Sequence, residues 1–119
     1  MHKLLIIDDE IKLRETICEL FTITGYEVFE ANDGLDGLDK VKKVKPDLII
    51  CDVMMPKLDG YDFVERLNLT QFSKIPVIFL TAKTELADQE KGIELGAKEY
   101  IIKPFSFKEL KKIVDSHLT

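Results

Sequence analysis

The chain has 119 residues, 33% of them charged and 45% hydrophobic, with a net charge of -5. That is the length and balance of one domain, residues 1–119, able to bury its own core without staples. The acidic surplus argues against direct binding of nucleic acid, because such a surface repels phosphates, and two distant cysteines, Cys18 and Cys51, make neither a disulfide framework nor a zinc pattern.

The N-terminal stretch MHKLLIIDDE carries a short apolar run before three acids. It is too short for a signal peptide or a membrane span, so a cytoplasmic protein is expected. Residues 3–7 (KLLII) read as a first strand. In the segment that follows, Leu13, Ile17, Leu20 and Phe21 recur at helical spacing, and Gly25 stands where a C-cap glycine would. Residues 26–30 (YEVFE) form the one alternating strand, which suits a sheet edge. The second helix carries Gly34 and Gly37, and interior glycine costs about 1 kcal/mol relative to alanine. Its basic end, KVKKVK, reads as a solvated terminus where cations complement the helix dipole.

Residues 47–51 (DLIIC) form a continuous apolar strand, the mark of a strand covered on both faces. Phe63, Val64 and Leu67 make a short helical stripe after it, and 75–80 (IPVIFL) is the fourth strand. The fourth helix, after Thr84, has a poor stripe and contains Gly92. Residues 99–103 (EYIIK) complete the strands, and Ser106 with Glu109 forms a capping box before Leu110, Ile113 and Val114. Five strand–helix repeats imply an α/β fold, a parallel sheet with helices on both faces.

The unusual polar residues collect at one place on this frame. Asp8 and Asp9 follow the first strand, Asp52 the third and Thr81 the fourth, while Lys103 ends the fifth. All lie at strand carboxyl ends, the edge where open parallel sheets bind ligands. Any one of these aspartates alone would more often cap a turn or helix; the coincidence across four strands points to chemistry. Two carboxylates about 4 Å apart repel by about 4 kcal/mol at an effective dielectric near 20. A raised pKa or a divalent cation relieves this, and hard oxygens suit Mg²⁺. With Lys103 and the Thr81 hydroxyl the group would form an electrostatic clamp for a phosphoryl group, and Asp52 would be the nucleophile.

The motifs IIDDE (6–10), PDLIICDVMMPKLDGYDF (46–63), PVIFLTAK (76–83) and GAKEYIIKPFS (96–106) together resemble the receiver domain of bacterial two-component response regulators, the family of the chemotaxis response regulator. The resemblance runs from residue 2 to about residue 117. It implies a three-layer, flavodoxin-like (βα)5 fold with strand order 2-1-3-4-5. By position it implies that Asp52 is the phosphoacceptor and that Asp8 and Asp9 hold Mg²⁺, with Asp9 the direct ligand. It adds the Met54 backbone carbonyl as a further ligand and gives Lys103 the phosphoryl oxygen. Thr81 would follow the phosphoryl group, Tyr100 would be the aromatic switch, and the Lys103-Pro104 peptide would be cis. A histidine kinase would be the phosphodonor. An output domain or partner would meet the face made by the fourth helix, fifth strand and fifth helix.

Gly37 departs from the alanine that relatives often carry. Met54 and Lys83, two residues after the phosphoacceptor and the threonine, cannot orient a water, so slow hydrolysis of the acyl phosphate is expected. Such a protein is a switch and not an enzyme with turnover. Alternatives are a phosphorelay intermediate, an Mg²⁺-dependent aspartate-nucleophile phosphohydrolase, or a receiver-like module that works without phosphate. The hydrolase would want a second acid where Met54 stands. His2 and His117 lie near the chain ends and read as surface residues.

Overall fold

The computed structural model describes residues 1–118. Strands and helices alternate throughout: β1 (Lys3–Ile7), α1 (Ile11–Ile23), β2 (Glu27–Ala31), α2 (Gly34–Val44), β3 (Leu48–Cys51), α3 (Gly60–Leu67), β4 (Val77–Thr81), α4 (Leu86–Glu94), β5 (Glu99–Ile102) and α5 (Phe107–Leu118). All strand pairings are parallel, and the order across the sheet is β2-β1-β3-β4-β5. The expected fold class and strand order are therefore observed.

Strand alternation divides the core into two layers. Leu5, Ile7, Ile49, Cys51, Val77 and Phe79 point to one face, where they pack with Val41 of α2 and Phe63, Val64 and Leu67 of α3. Leu4, Ile6, Leu48, Ile50, Ile78 and Leu80 point to the other, against Ile17 and Phe21 of α1 and Leu110 and Val114 of α5. This is why the central strands are continuous apolar runs: each face is covered by helices. β2 is an outer strand, as expected, but its burial does not alternate: the exposed Glu27 and Glu30 stand on opposite faces, and Val28 and Phe29 pack on opposite layers.

Local signals start and stop the helices. Asp33 and Asp59 cap α2 and α3, each carboxylate accepting a backbone N–H 2.8 Å away, from Asp36 and Asp62 respectively. Half of the expected capping box of α5 forms, with the Glu109 N–H donating to Ser106 Oγ at 3.4 Å. α1 ends at Gly25, whose φ is +103°. α4 has no side-chain cap and buries only Gly92.

The chain leaves β1 to form β2 on one side and returns to form β3 on the other. The crevice beyond the carboxyl ends of β1 and β3 is thus the topological switch point, which nothing in the sheet itself fills. α3 starts hard against it. The Gly60 N–H donates to the Val53 carbonyl at 2.8 Å, and a Cβ on Gly60 would collide with the Asp52 backbone. Glycine there lets the helix seat beneath the β3 exit.

Candidate functional site

β1 and β3 pair with Ile7 beside Cys51, so Asp8 and Asp52 leave the sheet side by side. Both are nearly fully buried, at 2% and 4% exposure. Lys103, the first residue after β5, reaches across to them. Its Nζ lies 3.1 Å from Asp8 Oδ2 and 3.2 Å from Asp52 Oδ2. It also lies 3.3 Å from Glu10 Oε1. The Lys103 N–H donates to the Thr81 carbonyl at 2.9 Å, which ties the base of the lysine to the end of β4. The Lys103-Pro104 peptide is cis.

Each buried carboxylate also accepts one backbone N–H: Asp8 from Glu10 at 2.9 Å, and Asp52 from Met54 at 3.2 Å. Burial pushes the Asp8 carboxyl above the ordinary carboxylate range; the Glu10 N–H opposes this and the Asp52 charge adds to it. Burial alone would lower the Lys103 ammonium, but the Asp52 and Asp8 charges outweigh it and the net direction is up. Three carboxylates share one ammonium, so the crevice is short of positive charge.

Carboxylate oxygens of Asp8, Glu10 and Asp52 lie within 4.8 Å of one another. An all-oxygen set of this compactness fits a hard divalent cation. Asp9 lies outside this group. It is exposed and borders the adjoining cleft with Met54, Met55, Asp59 and Lys83. Glu10 is the acid that sequence reasoning passed over. No spacing signals it: the chain bends at Asp9, and the Glu10 N–H donates back to Asp8 Oδ1 at 2.9 Å, a turn that brings Glu10 beside Asp8.

Thr81 is fully buried at the end of β4, and its Oγ1 accepts the Lys83 N–H at 3.3 Å. Tyr100, in β5, is half-buried and packs edge-on against Phe79. Its hydroxyl donates to the Lys83 carbonyl at 3.2 Å and lies 3.3 Å from the Tyr61 hydroxyl. Tyr61 in turn donates to the Asp88 carbonyl of α4 at 2.9 Å. Lys83 is therefore held at its N–H by Thr81 and at its carbonyl by Tyr100.

The other conspicuous residues lie elsewhere. His2 sits 3.7 Å from Asp47, and His117 3.5 Å from Glu99. Cys18 and Cys51 are buried free thiols; burial pushes Cys18 up to about 12 and Cys51 well above its usual value. No described helix is long and apolar enough to cross a membrane.

Comparison with known proteins agrees with this geometry. Residues 4–115 match the family model described as "Response regulator receiver domain". The structure superposes on the chemotaxis protein CheY4 of Vibrio cholerae with a TM-score of 0.91, at 34% identity, covering 98% of each chain. It superposes on the receiver domain of the Francisella response regulator 1452 with a TM-score of 0.92, at 32% identity, covering 98% of this chain and 96% of that one. Among curated proteins, the probable transcriptional regulator ycf27 of Cyanophora paradoxa is 45% identical over 116 residues, 98% of this chain and 48% of that protein. The chain spans about half the length of the curated relatives it matches. On its fold and its match to the family, the chain belongs to the response regulator receiver domains of two-component signalling.

Proposed function

We propose that this receiver domain is a phosphorylation-operated switch in which Asp52 accepts a phosphoryl group from a histidine kinase. The observation that carries the reading is the pair of nearly fully buried carboxylates, Asp8 and Asp52, sharing Lys103 at the rim of the sheet. Buried charges are retained only when paired or coordinated, and here the pairing is incomplete.

In the transfer, an Asp52 carboxylate oxygen attacks the phosphorus of a phosphohistidine. The new P–O bond forms as the P–N bond breaks, and the imidazole leaves with the bonding pair. Lys103, already 3.2 Å from Asp52, hydrogen-bonds the transferred oxygens. We assign Asp8, Asp9, Asp52 and the Met54 backbone carbonyl as the residues that hold Mg²⁺, and add Glu10 on the strength of its closeness to Asp8 and Asp52. Mg²⁺, when bound, supplies the positive charge that these carboxylates lack and that a phosphoryl group requires. The domain is altered by the reaction and does not turn over.

The switch follows from who holds Lys83. A phosphoryl group on Asp52 offers the Thr81 hydroxyl a stronger acceptor than its present environment. Thr81 then releases the Lys83 N–H, and the 81–84 segment carries the change to the Tyr100 hydroxyl and to α4. The surface of α4, β5 and α5 changes with it and is the face we assign to the output. The ycf27 relatives are named transcriptional regulators, which supports transcriptional control as the output of a longer protein built on this domain. The site of action is the cytoplasm. A phosphohydrolase is disfavoured, because the residue two after Asp52 is Met54, whose exposed side chain has no proton to give. Neither Met54 nor Lys83 is a carboxylate or amide that could orient a water, so the acyl phosphate is long-lived.

The test is incubation with acetyl phosphate, with and without Mg²⁺, followed by intact mass. One added phosphate is expected only with Mg²⁺, and none in Asp52→Asn. Equal labelling of Asp52→Asn, or labelling that ignores the metal, would overturn the assignment. A phosphoryl half-life of seconds would contradict the stability claim alone.

A further inference from the structure

Arg14 is charged, only 14% exposed and turned toward the site without touching its carboxylates. It lies on the first turn of α1 and divides its fork between two partners. Nη1 donates to the backbone carbonyl of Asp8 at 2.7 Å, and Nε donates to Glu30 Oε1 at 3.0 Å. The Asp8 carbonyl lies one residue beyond β1, where ladder bonding to the sheet has ended. On the other side of the same residue, the Asp8 N–H donates to the Ala31 carbonyl at the end of β2, at 3.2 Å. Asp8 is thus pinned fore and aft, and its carbonyl fixes the plane of the Asp8–Asp9 peptide. That plane decides where Asp9 and Glu10 point. Glu30 is held as well, since its carbonyl accepts from Lys40 Nζ at 2.8 Å.

We propose that Arg14 is a positioning residue: by gripping the Asp8 carbonyl it sets the acidic loop in the orientation that binds Mg²⁺. The claim rests on the phosphoacceptor reading for its purpose but not for its test. Groups that orient metal ligands typically contribute about 10- to 100-fold to metal affinity or activity when removed. The planar fork suits arginine to this place, because its Nε and Nη1 donors leave a rigid plane in fixed, separate directions, whereas an ammonium is a single point of charge with rotatable donors.

Charge and geometry predict opposite signs. Arg14→Gln removes a cation beside an acidic crevice. If Arg14 acted only through its charge, Mg²⁺ would bind more tightly in the variant. If it acts by positioning, Mg²⁺ binds more weakly. The experiment is Mg²⁺ titration of the full chain, read by backbone amide shifts of residues 8–10, alongside the Mg²⁺ dependence of phosphorylation by acetyl phosphate. We expect about 10-fold weaker Mg²⁺ binding in Arg14→Gln and a weakening of several-fold in Arg14→Lys. Glu30→Gln, which keeps an acceptor for Nε and leaves the Asp8 contact intact, stays within about 2-fold of wild type. Unchanged or tighter Mg²⁺ binding in Arg14→Gln overturns the proposal. So does a Glu30→Gln loss as large as that of Arg14→Gln, which would mark a mere tie between α1 and β2. Should Arg14→Gln not fold, wild-type affinity in Arg14→Lys overturns it. Should the wild type take no phosphate, the phosphoacceptor reading fails while the shift titration still decides the role of Arg14.

Discussion

Helices α3 and α4 have eight and nine residues and both follow strands of the central sheet. α3 begins at the Asp59 cap and buries Gly60, Tyr61, Phe63, Val64 and Leu67. α4 lacks a side-chain cap and buries Gly92 alone, leaving Leu86 and Ile93 largely exposed. The first helix braces the strand exit that carries Asp52. The second is met by the Tyr61 hydroxyl on its Asp88 carbonyl and by the close seating of Gly92 on Tyr100 and Phe79. Segments with few buried contacts open at low free energy. The difference suits the proposed switch, in which Asp52 stays put while the face that carries α4 moves.

The sharpest way to break this contrast is to truncate one side chain on each helix. Phe63 is fully buried, so Phe63→Ala should cost about 3–5 kcal/mol in urea unfolding. Ile93 is half exposed, and Ile93→Ala should stay within about 0.5 kcal/mol. Similar losses from the two would remove the distinction.

Gly92→Ala probes the seam directly. Alanine gains about 1 kcal/mol in helix propensity over glycine. Against that, its Cβ would meet Tyr100 Cδ2 at 2.9 Å and Phe79 Cδ2 at 3.1 Å, and overpacking costs about 1–3 kcal/mol. We expect a net loss of up to about 2 kcal/mol from those two terms. The Tyr100 ring should leave its place, visible as altered ring resonances. A stabilised variant with an unmoved ring would show that the seam has slack.

Tyr61→Phe is the gentlest probe. It removes the bond to the Asp88 carbonyl and should cost about 1 kcal/mol. It also carries a pH signature. Burial first, then the bond with Tyr100, raises the Tyr61 phenol above its usual 10.0. The unfolded chain ionises its phenols near that value while folded Tyr61 stays protonated. Tyr61 therefore adds stability that is full below pH 10.0 and is lost as pH rises above it. Tyr61→Phe should flatten the alkaline loss of stability in proportion, leaving the share of Tyr26, whose phenol is also raised. An unchanged alkaline slope would mean that the hydroxyl is not held.

Much of this was legible from residue order, and the misses have physical causes. Continuous runs such as Leu48–Cys51 announce strands covered on both sides, and they are. The thin stripe of α4 announced a loosely seated helix. Gly37 read as a weakness of α2. In the fold a Cβ there would meet Ile7 Cδ1 at 2.6 Å and Phe63 Cε1 at 3.1 Å, so the glycine admits close packing of α2 on α3 and β1. No single-helix propensity scale registers that. Asp8 and Asp52 were visible because strand ends can be located by pattern. Glu10 and Arg14 were not, because their roles depend on how a three-residue loop turns between β1 and α1. Loop direction is set by contacts from β2 and β5 that lie far off in sequence.

The ammonium that joins the two buried acids comes from a residue 95 positions after one of them and 51 after the other. A crossing that spans most of the polypeptide cannot close until the last strand has docked, since long-range pairing must first overcome the entropy of joining distant segments. On the role proposed for Lys103, competence to receive a signal would therefore be acquired only once β5 is in place, and fraying of that edge strand would silence the domain before its centre had begun to melt.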